Sequence, residues 1–157
     1  MKELIFPFLI LGFLLTSCEN DDDVCVSGEA TPRLKIKFKS ADNKVLTLDS
    51  LYLDVDYGNN NILTVVRAAK VDSALIPIRV DDAGFTELYV RKTKKGSVSK
   101  IKLNYNTTSE YVSPACGFKR LYQNLSGTLE TANPVTKVEL NQNQIINENK
   151  AHLYLVF

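Results

Sequence analysis

The chain has 157 residues, with 19 Lys and Arg against 18 Asp and Glu, and a hydrophobic share of 45%. This length suits one domain that buries its own core. The balanced charge provides no broad positive field for nucleic acid, so we predict no nucleic-acid partner. Trp is absent and there is one His. The missing Trp weakens the case for carbohydrate binding, and the single His limits the choice of a catalytic base.

The first 17 residues have the pattern of an export signal. Lys2 precedes an apolar run over residues 4–15. As a helix this run measures about 18 Å, which is well short of the roughly 30 Å of hydrocarbon that a spanning helix crosses. The run is therefore typical of a secretory signal and not of a membrane span.

The signal ends in Leu15-Thr16-Ser17-Cys18, which has the pattern of a lipobox. Small residues before the cysteine give a peptidase access, and the thiol accepts a diacylglyceryl group. The alternative is an ordinary signal peptide that contains a cysteine by chance. The position, spacing and flanking residues favour the lipobox. We predict that residues 1–17 are a lipoprotein signal peptide and that Cys18 carries the lipid that attaches the protein to a membrane.

An acidic segment follows the lipobox, with three consecutive aspartates at residues 21–23. Consecutive aspartates without a turn glycine match no calcium loop, so we predict a solvated tether over residues 18–30 and one domain over residues 31–157. Acidic residues directly after the lipidated cysteine also resemble the signal that sends Bacteroidota lipoproteins to the outer face of the outer membrane. We expect an outer-membrane location, on the periplasmic or the cell-surface side.

Cys25 and Cys116 remain once lipidation has used Cys18. In an exported protein an even pair favours a disulfide. A redox or zinc site needs a second Cys two residues away or a nearby His, and neither is present. We therefore predict a Cys25–Cys116 disulfide, no metal and no cofactor.

Apolar and polar residues alternate from Thr31 onward, which is typical of half-buried strands. The alternating apolar positions are Leu34, Ile36, Phe38, Leu51, Leu53, Val55, Ile76, Ile78, Val80, Leu88, Val90, Ile101, Leu103, Tyr105, Val138, Leu140, Leu153, Leu155 and Phe157. The pattern predicts an all-β fold, an antiparallel β-sandwich of about seven to nine strands, with a closed β-barrel as the alternative. Pro77 predicts an edge strand, and residues 118–125 allow a short turn.

Several segments together resemble one known family. These are Cys25, residues 31–34 (Thr-Pro-Arg-Leu), residues 113–118 (Ser-Pro-Ala-Cys-Gly-Phe) and residues 152–157 (His-Leu-Tyr-Leu-Val-Phe). The chain resembles a family of small Bacteroidota lipoproteins with a domain of unknown function. The resemblance implies a β-rich lipoprotein on the periplasmic side or the surface, with two cysteines placed as here. The family has no known activity, so the resemblance transfers no catalytic residues to this chain.

Two sets of residues are candidates for catalysis. His152 alternates with Leu153 and Leu155, so we expect it to point away from the core as a surface residue. Asp54 and Asp56 lie about 7 Å apart on one strand face, a separation that suits a glycosidase pair. Outward-facing acids two residues apart are also ordinary on a solvated strand. We favour that interpretation and predict that the protein is not an enzyme.

Two further patterns each allow a functional interpretation and a purely structural one. Residues 54–59 alternate acids and amides around a glycine, as calcium loops do, but the spacing favours a hairpin turn. The basic residues Arg91, Lys92, Lys94, Lys95 and Lys100 could contact lipid phosphates. They also flank a Gly-Ser turn, where lysines keep a hairpin tip soluble, and this second interpretation is favoured.

The sequence therefore predicts a membrane-anchored, non-catalytic lipoprotein that acts as a binding or accessory module of the cell envelope. An envelope protein is a possible partner. The alternatives are a structural or surface-assembly subunit and, less favoured, a hydrolase acting on carbohydrate or peptide. An open edge strand would favour assembly, and a deep pocket with perturbed acids would favour an enzyme.

Overall fold

The computed structural model describes residues 30–157. The predicted signal peptide, Cys18, the acidic tether up to residue 29 and Cys25 lie outside the described residues. Nine strands and no helix occur in the described part of the chain. The strands are β1 Leu34–Lys39, β2 Leu48–Asp56, β3 Ile62–Val71, β4 Ser73–Ile76, β5 Phe85–Arg91, β6 Ser99–Ser113, β7 Gly117–Thr131, β8 Lys137–Leu140 and β9 Leu153–Val156.

The strands form two sheets packed face to face. One sheet has the order β4-β1-β9-β8 and the other has the order β3-β2-β5-β6-β7. Because neither sheet closes on itself, the predicted β-sandwich is confirmed and the closed alternative is wrong. One pairing departs from the antiparallel prediction, since β1 and β9 run parallel, with Ile36 opposite Leu153. Parallel neighbours need a long crossover, and here nearly the whole domain serves as that connection.

The core contains the alternating positions that the sequence singled out. Phe38, Leu53, Leu88, Ile101 and Leu155 are completely buried and belong to one apolar cluster. Each sheet therefore buries one face against the other, as the period of two along each strand requires. Some predicted positions lie outside this cluster, among them exposed Val80 and Leu140.

The strand predictions were incomplete at the edges of the sheets. β3 was not predicted, and the short turn proposed for residues 118–125 was wrong because that segment is part of β7. The edge prediction from Pro77 is confirmed, since β4 ends one residue before it and is the outermost strand of its sheet. Residues 57–61 form the hairpin turn between β2 and β3, with Gly58 at φ 95°, which agrees with the favoured interpretation of residues 54–59.

The β6–β7 hairpin extends beyond the sandwich. Pairing with β5 stops at Asn104, whereas β6 and β7 remain paired up to Ser113 and Gly117. Residues 106–123 therefore form a ribbon of two strands, which we call the arm. Eight extended residues in β6 give it a length of about 27 Å.

Candidate functional site

The described chain begins beside the arm. Thr31 Oγ1 accepts a hydrogen bond from the Arg120 backbone N–H at 2.9 Å, along the outer edge of β7. Residues 141–150 of the connection between β8 and β9, which we call the β8–β9 loop, lie along the same edge. We call this region, made of residues 30–33, the arm and the β8–β9 loop, the arm end of the domain. It brings together the start of the described chain and two surface cavities.

The β8–β9 loop is fastened to β7 by its backbone. Ile145 and Tyr122 exchange backbone hydrogen bonds of 2.8 and 3.2 Å, and the Leu125 N–H donates to the Asn143 carbonyl at 2.8 Å. The Ile145 side chain is completely buried. The loop therefore covers polar backbone groups that the edge of β7 would otherwise leave open.

Glu148 joins the same loop to the start of β1. Its carboxylate accepts two hydrogen bonds of 2.8 Å from the Arg33 guanidinium and one of 2.9 Å from the Arg33 N–H. Lys35 Nζ donates to the Glu148 carbonyl at 2.9 Å. The hydrogen bonds from Arg33 lower the pKa of Glu148 below its usual value. Because a bidentate pair fixes orientation as well as distance, the loop is held at both of its sides.

His152 is completely buried, so the prediction that it points to the solvent was wrong. Alternation of faces holds only within an extended strand, and His152 lies in a bend directly before β9. Its Nδ1 accepts a hydrogen bond of 2.8 Å from the Lys35 N–H. Burial lowers the pKa of the imidazole, and the backbone of Asn147 offsets part of this effect. The neutral ring thus acts as a hydrogen-bond acceptor between β1 and the loop.

The surface of the loop is rich in carboxamides. A cavity of about 650 Å³ is lined by residues 140–150 except for buried Ile145 and partly buried Glu148, and a second of about 520 Å³ lies between residues 30–33 and 146–149. The carboxamides of the first cavity are Asn141, Gln142, Asn143, Gln144, Asn147 and Asn149. Each carboxamide offers donors and an acceptor without net charge, which suits a neutral polar ligand or a polar protein surface.

Asp54 and Asp56 do not form a pair of solvated acids. Asp54 is buried, accepts a hydrogen bond of 2.6 Å from Thr64 and forms an ion pair with Arg91. Asp56 instead accepts a hydrogen bond from the Gly58 N–H at 2.7 Å in the β2–β3 turn. The two carboxylates therefore have separate structural contacts. The prediction that both are solvated acids was wrong for Asp54, because Thr64 and Arg91 cover its carboxylate on the face of β2 that lies opposite buried Leu53 and Val55.

The basic run surrounds the β5–β6 hairpin turn. Arg91 pairs with Asp54, and Lys100 contacts Glu87 at 2.9 Å and Glu130 at 3.1 Å. Lys94 and Lys95 are exposed at the tip. The run is thus divided between structural ion pairs and a charged tip, in line with the favoured interpretation.

The predictions on cysteines and metals have different outcomes. Cys18 and Cys25 lie outside the described residues, so lipidation and the Cys25–Cys116 pairing stay predictions. Cys116, in the turn at the tip of the arm, is disulfide-bonded. Among the described residues, no group of three or more His, Cys, Asp or Glu side chains is placed to hold a metal ion.

Residues 53–157 match a family of unknown function, DUF6452. The chain belongs to this family. The match covers two thirds of the chain and runs from the middle of β2 to the last residue. The predicted resemblance to a domain of unknown function is thereby confirmed, whereas the Bacteroidota lipoprotein assignment stays a prediction. No curated protein and no solved structure matches the chain. In the described part of the chain, no helix is long and apolar enough to cross a membrane.

Sequence reasoning missed the β8–β9 loop and the arm. The loop had one visible signal, the run Asn-Gln-Asn-Gln at residues 141–144 between two apolar stretches. The arm also had one, since the aromatic residues Tyr111 and Phe118 flank the turn of residues 114–116, three positions before it and two positions after it. Neither signal shows by itself that the two elements lie side by side.

Proposed function

We propose that the protein is a membrane-anchored, non-catalytic lipoprotein that serves as a binding or accessory module of the cell envelope. The observation that carries the proposal is the lipobox, Leu15-Thr16-Ser17-Cys18, after an apolar run too short to span a membrane. The outer membrane is the expected location. The carboxamide surface of the β8–β9 loop is the proposed binding surface.

Two features support a binding role for this loop. Its backbone is fixed by β7, by Arg33 and by the contact of His152 with Lys35, so little conformational freedom would be lost on binding. Its exposed side chains are mainly neutral hydrogen-bonding groups. These properties favour recognition of a polar surface, such as that of an envelope protein.

One purification experiment tests the anchor and the loop together. Tagged wild-type protein is expected to incorporate labelled palmitate and to remain in the membrane fraction. Cys18→Ala is expected to lose both properties because the lipid has no acceptor. From detergent-solubilised membranes, a partner protein is expected to co-purify with the tagged wild type. It should not co-purify with the double variant Asn143→Ala, Gln144→Ala. Asn104→Ala, an exposed carboxamide on the other sheet, is the matched control and should retain it.

The two parts of the experiment fail separately. A Cys18→Ala protein that still carries palmitate contradicts the lipobox. A partner that the loop variant and the wild type retain equally contradicts the binding surface and leaves the anchor standing.

A structural or surface-assembly subunit is a second candidate, and one observation favours it. β3 is the outermost strand of its sheet, and none of the described strands pairs with its outer edge. All ten of its residues are exposed or partly exposed. A long open edge of this kind can accept a strand from another chain.

A further inference from the structure

The tip of the arm carries an exposed pair of aromatic residues. Tyr111 and Phe118 are opposite each other on β6 and β7, with ring centroids 5.4 Å apart and the rings inclined by 68°. Their exposed fractions are 57% and 67%. The pair therefore presents a small apolar surface at the end of a ribbon that projects from the domain.

Charged residues lie next to this pair. On the same face, Arg120 is two residues further toward the base, where it donates to Ser109 at 2.7 Å and contacts Asp82 at 3.2 Å. On the opposite face, Lys119 contacts Glu110 at 2.9 Å. The tip is thus apolar at its extremity and carries two cations directly behind it, each paired with a carboxylate.

We propose that the tip of the arm inserts Tyr111 and Phe118 into the interfacial layer of the membrane to which the protein is anchored. This inference rests on the proposed lipid anchor at Cys18. Aromatic side chains favour the membrane–water interface, and cations behind them can approach lipid phosphates through flexible side chains. At the tip of the arm the aromatic pair lies outermost and the two cations lie behind it, which is the order that interfacial insertion requires.

The start of the described chain lies next to the arm and follows the proposed anchor in the sequence. Thr31 is hydrogen-bonded to Arg120, and 13 residue steps separate Thr31 from Cys18 in the sequence. Fully extended, they reach at most about 45 Å. This reach exceeds the length of the arm, about 27 Å, so a lipid at Cys18 leaves the tip of the arm within reach of the membrane. β3, at the other edge of the five-stranded sheet, has no such connection among the described residues.

The absence of Trp from the sequence allows a single-reporter experiment. The full lipidated protein, as Phe118→Trp, is reconstituted into vesicles of phosphatidylethanolamine and phosphatidylglycerol, with and without bromine on the upper acyl chains. The matched control is Leu63→Trp on β3, where the native residue is 50% exposed. Rings at the interface lie at headgroup level, so bromolipids should lower the emission of the Phe118→Trp protein roughly twofold and shift its maximum to the blue. The Leu63→Trp protein should show neither change.

Flotation of the vesicles separates this inference from the anchor. Protein that floats while Phe118→Trp is quenched no more than Leu63→Trp overturns the inference and leaves the anchor standing. Protein that does not float overturns the anchor and the inference with it. Tyr111→Trp, on the facing strand, provides a second reporter if Phe118→Trp folds poorly. A blue shift of the Phe118→Trp emission that arises only at high protein density, without quenching, indicates a second copy on the arm and contradicts insertion.

Discussion

The imidazole of His152 stabilises the fold only in its neutral form. Its Nδ1 accepts the Lys35 N–H, and a protonated ring could not accept that bond. Of the nearby charges, Lys35 lowers the pKa and Glu148 raises it, but burial is the largest influence and lowers it. The unfolded chain therefore binds a proton at a higher pH than the folded chain.

The sign of the pH dependence follows from this difference. Below the unfolded pKa of about 6.5, the unfolded state holds more protons than the folded state, so the free energy of unfolding falls as the pH falls. The contribution of His152 to the free energy of unfolding is complete above about pH 6.5. It decreases by at most about 1.4 kcal/mol per pH unit below that value.

His152→Asn tests this assignment, since the Asn oxygen can accept the Lys35 N–H but does not titrate. Urea unfolding between pH 7.5 and pH 5 is expected to show a steeper loss of stability for the wild type than for the variant. Glu148, whose pKa is lowered by Arg33, titrates below this window. Parallel curves for the two proteins would show that His152 does not cause the pH dependence.

Asp54 shows what the local sequence cannot reveal about a single residue. Its neighbours predict an outward-facing acid on an alternating strand. Its burial depends on Arg91, which is 37 positions away, and on Thr64 of the neighbouring strand β3. His152 is similar, because the group that donates a hydrogen bond to its Nδ1 is the backbone N–H of Lys35, 117 positions away. Whether a polar residue is buried depends on such distant partners.

Among the elements, the central strands could be predicted and two edge strands could not. β2 and β5 each bury one side, so their apolar residues alternate clearly in the sequence. β3 and the arm part of β7 contain few buried residues. Without a buried face, the period of two disappears from the sequence. The sequence therefore predicts the core of the sandwich better than its edges, where the proposed surfaces lie.

The open edge of β3 leads to a prediction about self-association of the protein. If copies of the chain assemble by pairing β3 strands, the protein should self-associate with increasing concentration in analytical ultracentrifugation. Leu63→Lys should weaken this association, because a charge on an exposed edge disfavours strand pairing. Val80→Lys places the same charge at a residue that is 56% exposed and lies outside the strands, and should leave the association unchanged. Monomeric wild-type protein at all concentrations would exclude assembly through β3.

For the whole molecule, the first and last described strands are neighbours. β1 pairs with β9, and the segment before β1 contacts both the arm and the β8–β9 loop. A pull on the N-terminal segment would therefore act on several elements together. If that segment leads to a lipid, the tip of the arm can reach the membrane, and β3 on the other side of the five-stranded sheet stays accessible.

The Cys25–Cys116 disulfide would strengthen this arrangement. Cys116 lies at the tip of the arm, and Cys25 follows Cys18 by seven positions. Seven extended residues reach at most about 25 Å. With this pairing, the tip of the arm stays close to the membrane surface, as the proposed insertion requires.

The pairing is tested by thiol chemistry and by stability. In the purified native protein, Cys25 and Cys116 should resist alkylation until a reductant is added. Cys116→Ser should make Cys25 reactive and lower the melting temperature, since the bond closes a loop of about 90 residues, worth at most about 4 to 5 kcal/mol. Ser113→Ala, in the same tip, removes only the hydroxyl that accepts the Cys116 N–H and should leave both thiols protected. If both cysteines alkylate freely before reduction, the pairing does not exist and the tip of the arm is held to the anchor only through Thr31.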